Sequence, residues 1–96
     1  MPGLPLKIYR VAERSMEPTI GQGSYILVSS WYSKPKTNDI IVLRSPESAR
    51  ILVKRVRSVR SGKLFVVGDN KKESRDSRRF GYVDIRLLLG KVILII

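Results

Sequence analysis

The chain contains no histidine and no cysteine, and these two absences exclude more chemistry than any other feature of its composition. Without cysteine there is no disulfide staple, no thiolate nucleophile and no cysteine-ligated zinc. Without histidine the usual general base near neutral pH is missing, and so is the commonest metal ligand. Any base must be another kind of side chain. Long apolar runs are missing too. The longest, residues 92–96, is separated from Leu87, Leu88 and Leu89 by Gly90 and Lys91, far short of the ~20 residues a spanning helix needs. Residues 1–6 lack a basic stretch followed by an apolar one, so no signal peptide is expected. These two features predict a chain that stays in the cytoplasm, or at a membrane surface if an anchor has been removed.

What is present fits one small globular domain spanning residues 1–96, with 43 % apolar and 28 % charged residues. Lys and Arg number 19 against 8 Asp and Glu, a formal charge of +11, which suits an anionic partner: nucleic acid, an acidic membrane face or an acidic polypeptide. Short bursts rich in Val, Ile and Tyr at 8–12, 25–28, 40–43, 51–56, 64–67 and 92–96 read as strands. Gly, Pro, Ser and Asn fall between them, and Ser61-Gly62 reads as a hairpin turn. One short helix is expected at 85–89, capped by Asp84 and stopped by Gly90. The fold class is therefore mainly β, a single compact antiparallel sheet or barrel-like body.

Three segments hold more polar residues in specific arrangements than a structural β domain needs. In residues 14–20 a serine, Ser15, enters a turn braced by Pro18; such a turn can present a hydroxyl beside free backbone N–H groups, as a nucleophile with an oxyanion site requires. In residues 51–56, alternation places Leu52, Lys54 and Val56 on one face and Val53 and Arg55 on the other. One cation is thus forced toward the apolar side. A lysine buried there would lose its charged form's solvation, lowering its pKa from about 10.4 by up to 3–5; the amine could then activate Ser15 without histidine. The competing reading is a lysine that snorkels along the sheet. The third segment, residues 68–83, is too polar for a strand and too ordered in its Gly, Asp and Ser placement for a random loop.

With that third segment the sequence resembles the type I signal peptidases, serine endopeptidases that use a Ser/Lys dyad. The resemblance runs in order through Ser15-Met16-x-Pro18-Thr19, Lys54-Arg55-Val56, and Gly68-Asp69-Asn70 with Ser74, Asp76-Ser77-Arg78 and Gly81-x-Val83. It implies Ser15 as the nucleophile, with its own N–H as an oxyanion donor, and Lys54 as the general base. Ser74 corresponds to the family serine that aims the lysine amine. Asp76 and Arg78 correspond to a bracing ion pair, and Arg55 with Asp69 to a second one beneath it. A carboxylate near Lys54 would raise its pKa, so Arg78 is expected to hold Asp76 away. The implied partner is a precursor polypeptide bound in extended form.

Two departures stand out. Bacterial members often have Ser or Gly two positions before the nucleophile, where this chain has Glu13; an ionised carboxylate cannot donate to an oxyanion, so Glu13 is expected to point away. The chain also shows neither the membrane anchor nor the large inserted domain of typical bacterial members. Compact lysine-type members with Asp-Ser-Arg-x-Phe-Gly, as at 76–81, resemble the mitochondrial inner-membrane peptidases. They also resemble the short soluble peptidases proposed to mature nickel superoxide dismutase, and the second group is the nearer match in compactness.

The self-cleaving Ser/Lys domains of stress-response repressors share this fold, but the dipeptides they cut, Ala-Gly and Cys-Gly, do not occur here. Two alternatives take the charge at face value. One is a basic β module binding nucleic acid, with Trp31, Tyr32 and Phe65 as stacking surfaces; the three motifs argue against it, and no nucleic acid is expected. The other is membrane-surface contact through Trp31, Tyr32, Lys34 and Lys36, which is compatible with proteolysis.

Overall fold

A computed structural model describes residues 5–31 and 34–96. The strands are β1 (Leu6–Arg10), β2 (Tyr25–Ser29), β3 (Ile40–Arg44), β4 (Ile51–Arg60), β5 (Lys63–Val67), β6 (Val83–Asp84) and β7 (Leu88–Ile95). They form one antiparallel sheet in the order β1-β2-β7-β3-β4-β5-β6, curled into a half-barrel. This is the mainly β body expected from the sequence.

The β-branched bursts become strands because each can bury alternate side chains. In β2 the buried positions are Ile26 and Val28; in β4 they are Leu52, Lys54 and Val56. Central β3 is buried on both faces: Ile41 and Leu43 pack with Leu52, Val56, Leu64, Val66 and Val83, whereas Val42 packs with Val11, Met16, Ile20, Ile26 and Val28. The β4–β5 turn is the expected hairpin. Ser61 and Gly62 both take positive φ, 47° and 75°, as a two-residue turn matched to strand twist demands.

The C-terminal expectation needs correction. The helix placed at 85–89 is one 3-10 turn, Ile85–Leu87, capped by Asp84 Oδ1, which accepts from the Arg86 N–H at 2.8 Å. Gly90 does not stop it. Instead β7 starts at Leu88 and passes between β2 and β3, where a Cβ on Gly90 would sit 2.6 Å from the Ser29 carbonyl oxygen and 2.6 Å from Val28 Cγ1. The missing side chain is what lets this strand come so close.

Two features position the site. Only residues from Arg55 onward in β4 pair with β5, whereas Ile51 to Lys54 pair with β3 alone, so the first half of β4 keeps one edge open. The polar stretch after β5 folds into a 3-10 turn, Lys71–Glu73, and the short helix α1, Ser77–Phe80. The helix packs against β5, where Ser77 Oγ accepts from the Val66 N–H at 2.8 Å, and neither piece extends the sheet.

Candidate active site

The Lys54 amine is the centre of the site. Strand alternation turns the side chain to the inner face of β4 between Leu52 and Val56, where it has no solvent exposure at all. Its Nζ donates to Ser74 Oγ at 2.9 Å. Ser74 Oγ in turn donates to Asp76 Oδ2 at 2.5 Å. A hydroxyl has a single proton, so with that proton committed to Asp76, Ser74 faces the lysine as an acceptor.

Asp76 is fully buried and heavily satisfied. It accepts from Arg78 Nε at 3.0 Å, Arg78 Nη2 at 2.6 Å, the Arg78 N–H at 3.1 Å and the Gly68 N–H at 2.8 Å. Burial alone would raise its pKa, but these donors outweigh it and hold the carboxyl well below the usual range. As the cap of α1 it also fixes where that helix begins. Arg78 engages Asp76 as expected, and the carboxylate forms no ion pair with Lys54 among the described residues. The carboxylate reaches Lys54 through one intervening hydroxyl, and its charge works to raise the lysine pKa. Burial is the larger influence, and the net effect lowers the Lys54 pKa. The Arg78 charge adds a smaller push in the same direction as burial.

Arg55 faces the other side of β4 and grips Asp69 with two bonds, Nε to Oδ1 at 2.9 Å and Nη2 to Oδ2 at 2.8 Å. This is the second ion pair implied by the resemblance, and it serves as a clamp. Asp69 Oδ2 also accepts from Thr19 Oγ1 at 2.6 Å, and Arg55 Nη1 donates to the Asn38 carbonyl at 3.0 Å. One cation thus ties the turn after Ser15, the 68–70 loop and the start of β3 to β4. Thr19 and Asn38 are partners that sequence reasoning did not assign. Asn70 is another: its N–H donates to the Ser15 carbonyl at 2.8 Å, and its Nδ2 donates to the Arg14 carbonyl at 3.1 Å.

Ser15 is buried in the turn that follows β1. Its backbone comes close to the Ser74 side chain at Gly68. A Cβ there would lie 2.6 Å from both the Ser15 carbonyl oxygen and Ser74 Cβ, with Ser74 Oγ closer still. The Ser15 backbone and the lysine-binding hydroxyl therefore crowd the same point, and only glycine leaves room for them. The Ser15 N–H has no partner among the described residues, so it is open to a developing oxyanion. No hydrogen bond joins the Ser15 hydroxyl to the Lys54 amine among the described residues; catalytic hydrogen bonds are often long before substrate tightens them.

Ser15 opens onto a cleft of about 380 Å³ between residues 9–13 and the open edge of β4, with Leu52 and Val53 on its wall. Glu13, expected to point away from the oxyanion position, pairs with Arg50 at the cleft rim. Its charge is still felt at Lys54, where it works to raise the pKa.

Of the aromatic residues considered for nucleic acid or membrane contact, Trp31 is 80 % exposed, and Tyr32 lies outside the described residues. Phe65 is unsuited to stacking on a base: it is half-buried and meets the Tyr82 ring edge-on at 5.2 Å.

Comparison with known proteins shows the family. The profile of "Signal peptidase, peptidase S26" matches residues 3–59 and 56–96. The chain is 34 % identical over 106 aligned positions to the mitochondrial ATP-independent inner membrane protease subunit 1b of Arabidopsis thaliana, covering 82 % of this chain and 63 % of that protein. It is 32 % identical over 108 positions to the mitochondrial inner membrane protease subunit 2 of Schizosaccharomyces pombe, covering 86 % of this chain and 60 % of that one. The chain thus spans less than two thirds of the length of these relatives. Neither name concerns nickel superoxide dismutase. No helix among the described residues is long and apolar enough to cross a membrane.

Proposed function

Because the chain belongs to the signal peptidase family S26, we propose that it is a serine endopeptidase in which Ser15 is the nucleophile and Lys54 the general base, removing a leader from a precursor polypeptide. The observation that carries this reading is the Lys54 amine. It is wholly buried, its pKa is lowered, and its bonded acceptor has no proton left to give it. A neutral amine donating one N–H to Ser74 keeps its lone pair for another proton.

An extended peptide enters the cleft between residues 9–13 and the open edge of β4, where backbone groups offer strand-like partners. Lys54 takes the Ser15 proton as the oxygen attacks the scissile carbonyl, and the Ser15 N–H receives the oxyanion. The resulting ammonium gives its proton to the leaving amine as the C–N bond breaks. Water, deprotonated by the same lysine, then attacks the acyl-enzyme, and the proton returns to Ser15 as the acid is released. Ser74 and Asp76 hold the amine in line throughout, and the steps use no metal or organic cofactor. The substrate is a precursor protein, the nickel superoxide dismutase precursor among the candidates, and the partner is a polypeptide rather than nucleic acid.

The test is cleavage of candidate precursor peptides by the full chain, with products read by mass. Ser15→Ala is expected to abolish cleavage while leaving the thermal melt unchanged. Cleavage that persists in Ser15→Ala would overturn the assignment.

A further inference from the structure

The geometry points to a substrate that carries acidic side chains on the segment leading away from the strand edges, where Lys71, Lys72 and Arg79 form a cationic wall; this rests on the peptidase reading above. Two clefts meet at the site and share Glu13. The first, onto which Ser15 opens, is bounded by strand edges and apolar side chains. The second has a volume of about 620 Å³ and is lined by Ser74, the acceptor of the Lys54 amine, together with cations from the Lys71–Glu73 turn and α1. A peptide whose scissile bond lies over Ser15 extends in both directions, so one half occupies each cleft.

The cations of the second cleft are not equivalent. Arg75 is held by Glu47, with bonds of 2.7 and 2.8 Å, and Arg78 by Asp76. Lys71, Lys72 and Arg79 are exposed and form no ion pair among the described residues. Two carboxylates face the same space. Glu13 is matched by Arg50, whereas Glu73 forms no ion pair among the described residues, so the wall keeps a positive excess. A further hollow of about 360 Å³ shares Lys71 and Arg78 and carries the basic surface onward past Asp69. A net charge of +11 extends the same field outward and would speed capture of an acidic segment.

The test uses three fluorescent peptides that share one sequence across the strand-edge cleft and differ beyond the scissile bond, with Asp, Asn or Lys at the same positions. Binding to full-length Ser15→Ala is read by anisotropy, and cleavage by the unaltered chain is read in parallel. The Asp peptide is expected to bind about tenfold tighter than the Asn peptide, the gain available from a few solvent-exposed ion pairs. Raised salt should erase the difference. The variant K71E/K72E/R79E is expected to reverse the order; K72E/R79E replaces it if the triple variant does not fold. Equal binding of the three peptides, or preference for Lys, would overturn the inference while cleavage of the Asn peptide still upheld the peptidase reading. Acidic preference without cleavage of any peptide would overturn that reading, and the inference with it.

Discussion

Replacing Lys54 by methionine separates catalysis from stability. Methionine keeps an unbranched stem of similar length and fills the same apolar space between Leu52 and Val56. The change removes one hydrogen bond, to Ser74, worth about 1 kcal/mol. It also removes the cost of placing an ionisable amine in a dry niche, and each tenfold drop in the lysine protonation constant on folding corresponds to about 1.4 kcal/mol. The unfolded lysine titrates near 10.4, and the folded one below that value because burial disfavours its charge. Between the two values the unfolded chain binds more protons, so stability rises with pH. It is lost as pH falls through the folded value and levels off below it. Lys54→Met lacks this titration. It is expected to match the parent within about 1 kcal/mol at high pH and to exceed it by a margin that grows by about 1.4 kcal/mol for each unit of falling pH until the folded lysine is protonated. Peptide cleavage should fall by about 10²- to 10⁴-fold, the usual share of a general base. Urea unfolding at two pH values and a peptide assay make the measurement. A stability gap that does not widen on acidification, or a variant that cleaves at the parental rate, would refute the reasoning.

Ser74→Ala leaves the Lys54 amine without its acceptor and Asp76 one donor short; kcat is expected to fall about 10- to 100-fold with KM nearly unchanged, and steady-state kinetics on one peptide checks it. Asp76→Asn uncouples Arg78 and the Gly68 N–H from a buried charge and should cost about 2–4 kcal/mol in denaturant unfolding at neutral pH. Because the Asp76 pKa is lowered in the fold, its contribution is present above the ordinary aspartate value of about 3.9 and is lost as pH falls below it; acid unfolding of the variant should lack that part of the transition. Gly68→Ala drives a methyl to 2.6 Å from the Ser15 carbonyl and Ser74 Cβ and is expected to cost about 1–3 kcal/mol while disproportionately reducing cleavage; wild-type turnover in that variant would show that the close approach does not matter.

Where local rules govern, the sequence is readable. Alternation groups Lys54 with Leu52 and Val56 on one face of β4, and the structure buries that face fully at Lys54. Ser61 and Gly62 announce their turn because few residue pairs tolerate two positive φ values. Long-range pairing is less visible. Nothing local says that β7 lies between β2 and β3, so Gly90 looks like a helix stop when it is a point of strand contact. The two-residue strand β6 and the short helix α1 are too brief for any periodicity to mark them. At the site, the motifs name Ser15, Lys54, Ser74, Asp76, Arg78, Arg55 and Asp69 but not their geometry. That Asp76 reaches the lysine through Ser74 depends on how the 68–78 loop closes, and the Thr19 and Asn38 contacts join segments far apart in the chain. Glu13 is explained by Arg50, a cation across the cleft that no motif includes.

The central claim is that Lys54 is neutral when the chain works, and its titration tests this most directly. Lysine-selective isotope labelling of the full chain, with Lys54 assigned by its absence in Lys54→Met, lets the ε-methylene and amine resonances be followed against pH. The account predicts a midpoint clearly below that of the other lysines, coinciding with the rising limb of the kcat/KM profile for peptide cleavage. A midpoint near the free-lysine value of about 10.4 would contradict it.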